Sequence, residues 1–238
     1  MKWNEISDFR YMETAKGIVG DINNNITGRV ALNNMLRATH VLYIIKTLLG
    51  DKCKTVLEIG TLWGGALLTM MQSEHSSKFV SIDMFEGFYP DLLGEGNSDQ
   101  GNLINTIELV TENVNQNNPW NHEYDLIKGS SHDSKVINYV KENYPKIDLL
   151  FIDGDHTKKG VLQDWHDYSN LLTKGGIVVF DDYWVGKYEG AAWKKEDDKG
   201  VKWMDVVGAV DEIIESKDFS EQWKVIGLFG DKKIIERL

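Results

Sequence analysis

Short apolar runs alternate with longer amphipathic segments along most of this chain. Runs rich in β-branched and aromatic residues predict five strands, at 54–60, 78–85, 123–130, 147–153 and 177–183. Apolar residues at helical spacing predict the helices between and after them, at 66–74, 102–117, 134–144, 159–172 and 206–216. The last two runs predict an antiparallel pair, at 222–230 and 232–238. Upstream, residues 29–50 show mostly helical spacing, and the Asn-rich stretch 21–28 predicts a turn or loop.

The alternating order of strands and helices predicts an α/β fold. Its sheet is expected to be mostly parallel, with helices on both faces, because helical crossovers connect parallel strands. In open sheets of this type, ligands bind beyond the carboxyl ends of the strands. The residues that follow each predicted strand are therefore the first candidates for chemistry.

Composition and charge restrict the possible classes of function. Apolar residues make up 42% of the 238 residues and charged residues 26%, as in ordinary soluble domains. Lys and Arg total 26 against 37 Asp and Glu, and the formal charge of −11 disfavours non-specific binding to nucleic acid or anionic membranes. Cys53 is the only cysteine, and the first residues are too polar for a secretory signal, so we expect a cytoplasmic protein.

The first predicted strand runs into a loop that contains glycines. Glu58, Gly60 and Gly64 follow the pattern E-x-G-x-x-x-G, which differs from the G-x-G-x-x-G spacing of dinucleotide-binding loops. Glycines in such a loop allow a tight turn and a close approach of a ligand to the backbone. Asp83 ends the second strand, 23 residues after Gly60, near the ~20-residue spacing of the acid that holds ribose hydroxyls in nucleotide folds.

Acidic residues also follow the fourth and fifth strands. Asp153, Asp155 and His156 come directly after the apolar run IDLLFI, and Asp181 and Asp182 follow IVVF. Because neighbouring strands lie ~5 Å apart, Asp153 could approach the pair Asp181 and Asp182. Carboxylates packed together repel each other unless a cation neutralises them, and oxygen ligands favour a hard ion such as Mg²⁺. A zinc site is not expected, because there is one Cys and no H-x-x-x-H pair.

The segments VLEIGTLWGG and SIDMFEG resemble the cofactor site of class I S-adenosylmethionine-dependent methyltransferases. This resemblance implies a Rossmann-like fold with a seven-stranded, mostly parallel sheet and a terminal antiparallel pair. The glycine loop would face the methionine part of the cofactor, Asp83 would hold its ribose, and the residues just after strand three would lie near its adenine. The implied cofactor-binding residues are Glu58, Gly60, Thr61, Gly64, Asp83, Gly129, Ser130 and Asp153.

The segments FIDGDH and GGIVVFDDY resemble the metal-dependent O-methyltransferases. They are most similar to the branch that includes macrolide sugar O-methyltransferases and the related cephalosporin-biosynthesis proteins. The resemblance implies Mg²⁺ or Mn²⁺ bound by Asp153, Asp181 and Asp182, with His156 as the general base. The implied reaction moves a methyl group from S-adenosylmethionine to a hydroxyl of a sugar or another small molecule, with a catechol-like diol as the alternative acceptor.

The resemblance also implies a division of the chain. Residues 51–238 would form the methyltransferase domain, and residues 1–50 a helical extension that contributes to the substrate pocket or to a dimer contact. The segments 89–101 and 185–203 follow strand ends and are predicted to shape the substrate pocket, because long loops at such positions often act as lids.

Other interpretations of the same residues stay open. Asp181 and Asp182 could cap a loop, His156 could be a solvated residue near a helix start, and Asp155 is more consistent with a loop residue than with a ligand. His132 is interpreted as structural. The rival functions are a nucleotide- or NAD-dependent oxidoreductase on a similar sheet and a cofactor-binding module without catalytic activity.

Overall fold

A single seven-stranded sheet organises the structure, a computed structural model that describes residues 8–28, 30, 38–86, 105–183 and 204–238. Its strands are β1 Thr55–Ile59, β2 Lys78–Asp83, β3 Glu123–Lys128, β4 Ile147–Ile152, β5 Leu172–Phe180, β6 Trp223–Phe229 and β7 Lys232–Arg237. Their spatial order is β3-β2-β1-β4-β5-β7-β6. Strands β1 to β5 are parallel, and β7 pairs antiparallel with both β5 and β6. The predicted α/β fold with a terminal antiparallel pair is therefore confirmed.

Eight α-helices are described alongside the sheet. They are α1 Phe9–Asn25, α2 His40–Leu49, α3 Gly65–Met71, α4 Ile107–Asn117, α5 Ser134–Asn143, α6 Lys158–Tyr168, α7 Val206–Glu215 and α8 Phe219–Gln222. Among these described helices, none combines the length and the apolar character that a membrane span requires.

Apolar side chains alternate between two cores, one on each face of the sheet. Along β4, Leu149 and Phe151 pack with helices α1 to α4, whereas Leu150 and Ile152 pack with helices α5 to α8. This alternation follows from the period of two along a strand. Helices α1 and α2 share the first core with the sheet, so the described part of the N-terminal region packs on the same hydrophobic core as the rest of the domain.

The structure departs from the sequence predictions at two places. Residues Asp21–Asn25, predicted as part of a loop, form the last turn of α1, because Ile22 is buried in the core at 4% exposure. Gly175 and Gly176, predicted to separate a helix from a strand, lie within β5. The predicted lid segments 89–101 and 185–203 lie outside the described residues.

The amino end of β4 is held by one carboxylate. Asp148 accepts hydrogen bonds from the backbone amides of Lys54 (2.7 Å) and Thr55 (3.1 Å) and from the Thr173 hydroxyl (2.6 Å). We expect Asp148→Ala to lower the free energy of unfolding by about 2–3 kcal/mol, because each bond to a charged group contributes ~1 kcal/mol or more. Urea denaturation measures this loss. Ligand binding should stay unchanged, since the candidate site lies at the other end of the strand.

Candidate active site

The predicted residues converge at the carboxyl ends of the central strands. Backbone hydrogen bonds continue the pairing beyond the strands: Gly60 donates to Ile82 (2.9 Å), Asp153 to Ile59 (2.8 Å) and Asp181 to Ile152 (3.0 Å). This register brings the glycine loop and the acids that follow β4 and β5 to one edge of the sheet. Sequence reasoning predicted this convergence from the parallel order alone.

The glycine loop touches the loop after β4 through its backbone. Gly60 has φ +92°, and a Cβ placed on it would lie 2.1 Å from the carbonyl oxygen of Asp153 and 2.9 Å from the amide of Gly154. No side chain fits between the two loops at this point. Gly64, with φ +87°, forms the left-handed N-cap of α3. The two predicted sites, for cofactor and for metal, therefore share one backbone contact.

Asp83 is fully engaged by donors from its own chain. Its Oδ2 accepts from the amides of Thr61 (2.8 Å) and Leu62 (3.0 Å), and its Oδ1 accepts from the Phe85 amide (2.8 Å) and the Asn105 side chain (3.0 Å). A carboxylate has about four acceptor positions, so these donors fill them. Asp83 thus orders the glycine loop, and a ribose hydroxyl would have to replace or share one of these donors.

Glu58 is a buried acid without a cationic partner among the described residues. Its side chain has 0% exposure, its Oε2 accepts from the Ser81 hydroxyl, and its Oε1 has no hydrogen-bond partner in this part of the structure. The pKa of Glu58 is raised to about 8. Burial is the largest cause, and the charges of Asp153 and Asp83 act in the same direction. The site therefore presents an unsatisfied acidic group where a positively charged ligand would be favoured.

The loop after β3 turns back beside the glycine loop. Gly129, at φ +153°, donates to the carbonyl of Asp83 (2.9 Å), and the Ser130 hydroxyl accepts from the His132 amide (3.2 Å). Behind this loop, His132 Nδ1 lies 3.5 Å from Oδ1 of the fully buried Asp164. Gly129 and Ser130 therefore stand at the edge where the adenine was predicted, and His132 contacts a buried acid on α6.

Two acids and an imidazole meet at the ends of β4 and β5. His156 Nε2 lies 3.1 Å from Asp153 Oδ1 and 3.5 Å from Asp182 Oδ2. One ligand atom from each of these three residues falls within 4.8 Å of the other two. Asp182 has φ +51°, an unusual conformation for a residue other than glycine, and its side chain is only 5% exposed. Such backbone strain is concentrated at functional sites.

Asp181 turns away from this group and contacts a lysine. Lys232, at the start of β7, donates to Asp181 and to Asp231 (2.7 Å), and its side chain is 1% exposed. A second acidic group with ligand atoms within 4.8 Å consists of Asp181, Asp182 and Asp231. The predicted metal ligands Asp153, Asp181 and Asp182 are thus divided between two neighbouring groups that share Asp182.

The pKa of His156 is raised to about 9. Burial alone would lower it, but the hydrogen bond to Asp153 and the charges of Asp182 and Asp181 outweigh burial. The imidazolium therefore neutralises part of the acid cluster when no other cation is present.

Some residues of the site were not identified from the sequence. Ser81 lies inside β2 and donates a hydrogen bond to Glu58. The sequence signal for this role was a polar residue within a run of buried apolar ones. Lys232 and Asp231 lie in the terminal hairpin, and Lys232 is 51 positions from Asp181, so only the strand order brings the two to the site.

Comparisons with known proteins identify the family of the chain. A family model described as a methyltransferase domain matches residues 57–183, more than half of the chain. An uncharacterized protein of Acanthamoeba polyphaga mimivirus is 33% identical over 129 residues, 54% of this chain and 51% of that protein. The chain therefore spans about half the length of the curated relative it matches.

Solved structures share the fold at low identity. The O-methyltransferase NovP has a TM-score of 0.58 at 17% identity, with 97% of this chain and 99% of that chain covered. An O-methyltransferase from Bacillus cereus in complex with SAH has a TM-score of 0.55 at 14% identity, covering 96% and 90%.

The methyltransferase MycE, solved with Mg, SAH and mycinamycin VI, has a TM-score of 0.50 at 16% identity, covering 82% of this chain and 48% of that chain. The family match does not favour the oxidoreductase alternative. This chain belongs to the methyltransferase-domain family, and its fold is that of class I S-adenosylmethionine-dependent O-methyltransferases.

Proposed function

We propose that this protein methylates a hydroxyl oxygen of a sugar or another small molecule, using S-adenosylmethionine and a divalent cation. The observation that carries the proposal is the contact between the two halves of the site. The backbone of Gly60 meets that of Asp153, and Asp153 in turn contacts His156. A methyl donor held at the glycine loop would therefore lie next to groups that can bind and deprotonate an acceptor.

The cofactor half suits a positively charged ligand. S-Adenosylmethionine carries a sulfonium and an ammonium group, and Glu58 offers a buried carboxyl oxygen without a partner among the described residues. The neighbouring carboxylates Asp83 and Asp153 add negative potential around it. The fixed donors on Asp83 hold the glycine loop in place before the ligand arrives, which reduces the ordering cost of binding.

The other half suits a hard divalent cation. Asp153 and Asp182 offer carboxylate oxygens, and His156 lies beside them with its Nε2 near both carboxylates. Oxygen-rich ligand sets of this kind favour Mg²⁺ or Mn²⁺. When bound, such an ion lowers the pKa of the acceptor hydroxyl and orients it.

His156 is suited to accept the hydroxyl proton once its Nε2 is unprotonated. Its contacts with Asp153 and Asp182 fix the ring at the edge of the acid cluster. A positioned base of this type contributes ~100-fold or more to a rate. The remaining contribution of the chain is alignment of the acceptor oxygen with the methyl group.

A sugar hydroxyl is the first acceptor we propose. MycE, which shares the fold, is described with mycinamycin VI, and the motifs FIDGDH and FDDY resemble the macrolide sugar branch. A catechol-like diol is the second candidate, because two adjacent oxygens could both approach the same cation. Assays with glycosides and with polyphenols would separate these acceptors, and turnover with neither class would favour a binding module without catalytic activity.

Binding of the methyl donor is the first test of the proposal. Calorimetric titration with S-adenosylmethionine should give micromolar affinity, whereas NAD should not bind. Failure to bind S-adenosylmethionine, with and without Mg²⁺, would contradict the proposed cofactor.

Asp182→Asn should separate metal binding from cofactor binding. Asparagine tolerates the left-handed conformation, so the change removes one charge with little backbone cost. We expect Mn²⁺ affinity to fall by about 10- to 100-fold, in the range found when metal-site partners are removed, and turnover to fall with it. Cofactor affinity should change by less than about threefold, which is under 1 kcal/mol.

The matched control for that variant is Asp148→Ala, at the opposite end of the β4 region, which should affect stability only. Equal losses of metal affinity and cofactor affinity in Asp182→Asn would contradict the assigned division of roles.

A further inference from the structure

A buried ammonium group already occupies half of the acid cluster. Lys232 Nζ contacts Asp181 and lies 2.7 Å from Asp231 Oδ1. The side chains of Lys232 and Asp231 are each 1% exposed, and that of Asp181 is 12% exposed. Two carboxylates contact this nitrogen directly, and such paired partners are what a buried ammonium requires. The group is therefore a charged cation within the fold.

The strand register places this cation at the end of β5. Phe180 pairs with Lys233 in the antiparallel ladder, so the next position along each strand sets Asp181 beside Lys232. The backbone amide of Tyr183 then donates to the carbonyl of Asp231 (2.9 Å), which keeps the hairpin against the chain that follows β5. The lysine is thus fixed by backbone pairing as well as by charge.

We propose that Lys232 is a positioning residue that divides the carboxylate cluster and excludes a metal ion from one half of it. The excluded half is the group formed by Asp181, Asp182 and Asp231, whose ligand atoms are close enough to hold a cation. With Asp181 held by the lysine, Asp182 faces Asp153 and His156 instead. The cluster is thereby limited to one divalent cation, on the His156 side.

Electrostatics explain why the lysine would prevent a second ion. A divalent cation between Asp181 and Asp231 would have to displace the ammonium from both carboxylates or lie in contact with it, and like charges at contact distance repel strongly in a buried site. This inference rests on the proposed metal-assisted function only for the half that contains His156. The exclusion from the other half depends on the contacts of Lys232 alone.

The test compares Mn²⁺ binding to the full-length wild-type protein and to Lys232→Met. Methionine keeps most of the side-chain length without the charge, so Asp181 and Asp231 would be released as ligands. Both proteins are titrated with up to about 1 mM Mn²⁺, and the free ion is followed by electron paramagnetic resonance. The variant should bind one more Mn²⁺ ion per chain than the wild type. The control is Lys224→Met on the neighbouring strand, whose exposed lysine pairs with Glu236 at 2.9 Å and should leave the ratio unchanged.

The outcomes separate the two proposals. A wild-type protein that binds no Mn²⁺ contradicts the metal in the proposed function, while the role of Lys232 is decided by the difference between wild type and variant. An unchanged ratio in folded Lys232→Met overturns the inference. If that variant does not fold, wild-type crystals soaked in Mn²⁺ provide the test. Anomalous density between Asp181 and Asp231 would overturn the inference. The absence of density there, with Lys232 in contact with Asp181, would support it.

Discussion

Gly60→Ala is expected to disrupt the site more than an alanine at any other glycine in the described part of the chain. The new Cβ would lie 2.1 Å from the Asp153 carbonyl oxygen and 2.6 Å from its carbonyl carbon, and backbone atoms cannot rotate away as a side chain can. Because Asp153 also donates to Ile59, relief of the clash would break pairing between the central strands β1 and β4. We expect a loss of about 4 kcal/mol or more in the free energy of unfolding, together with loss of cofactor and metal binding.

The chain offers a matched control at Gly175. This glycine also has a positive φ, +78°, but a Cβ placed on it meets nothing within 4 Å. Gly175→Ala should therefore report the backbone cost alone, about 1 kcal/mol. Urea denaturation of both variants measures the difference. Similar losses in the two would mean that the contact between Gly60 and Asp153 is not tight, and the shared backbone contact of the site would have to be abandoned.

Glu58→Gln is expected to change stability and binding in opposite directions. The pKa of Glu58 is about 8 in the folded protein against about 4.5 for the ordinary group, mainly because of burial. Between these pH values the folded state retains a proton that the unfolded state has lost, so stability is greatest below pH ~4.5 and falls as the pH rises towards ~8. The glutamine variant lacks this loss and should be more stable than wild type at pH 8.5 by a few kcal/mol.

The same substitution should weaken binding of the cationic cofactor by at least about tenfold, which is ~1.4 kcal/mol. Calorimetry at pH 8.5 measures the binding, and urea denaturation without ligand at pH 5.5 and 8.5 measures the stability. Some pH dependence should remain in the variant, because burial also raises the pKa of Asp164 to about 7. A variant with the full wild-type pH slope would show that Glu58 is not the group that titrates.

Sequence reasoning located the edge of the sheet that carries the site, because a parallel order places all strand ends together. Glu58, Gly60, Asp83, Asp153 and Asp182 were predicted on that basis, and the structure brings them to one edge. Their partners could not be predicted in the same way. That Asp83 accepts from two amides of the glycine loop depends on local backbone conformation, which the pattern of residue types does not specify.

The division of the predicted metal ligands between two groups was also beyond the sequence. Asp181 and Asp182 are adjacent, and only the left-handed conformation of Asp182 points the two side chains to different partners. The last turn of α1 was predicted as a loop for a related reason: its asparagines suggest a turn, but the burial of Ile22 outweighs their local preference.

Strand β7 follows the other six strands in the chain, yet it lies between β5 and β6. Chains are synthesised from the amino end and begin to fold before they are complete. Strands β1 to β5, and the predicted metal ligands Asp153, Asp181 and Asp182 that follow β4 and β5, therefore leave the ribosome before Lys232 does. Until the hairpin arrives, β5 has an open edge and Asp181 lacks its ammonium partner. The contact that holds Asp181 is thus formed only after every strand that carries the predicted metal ligands has been synthesised.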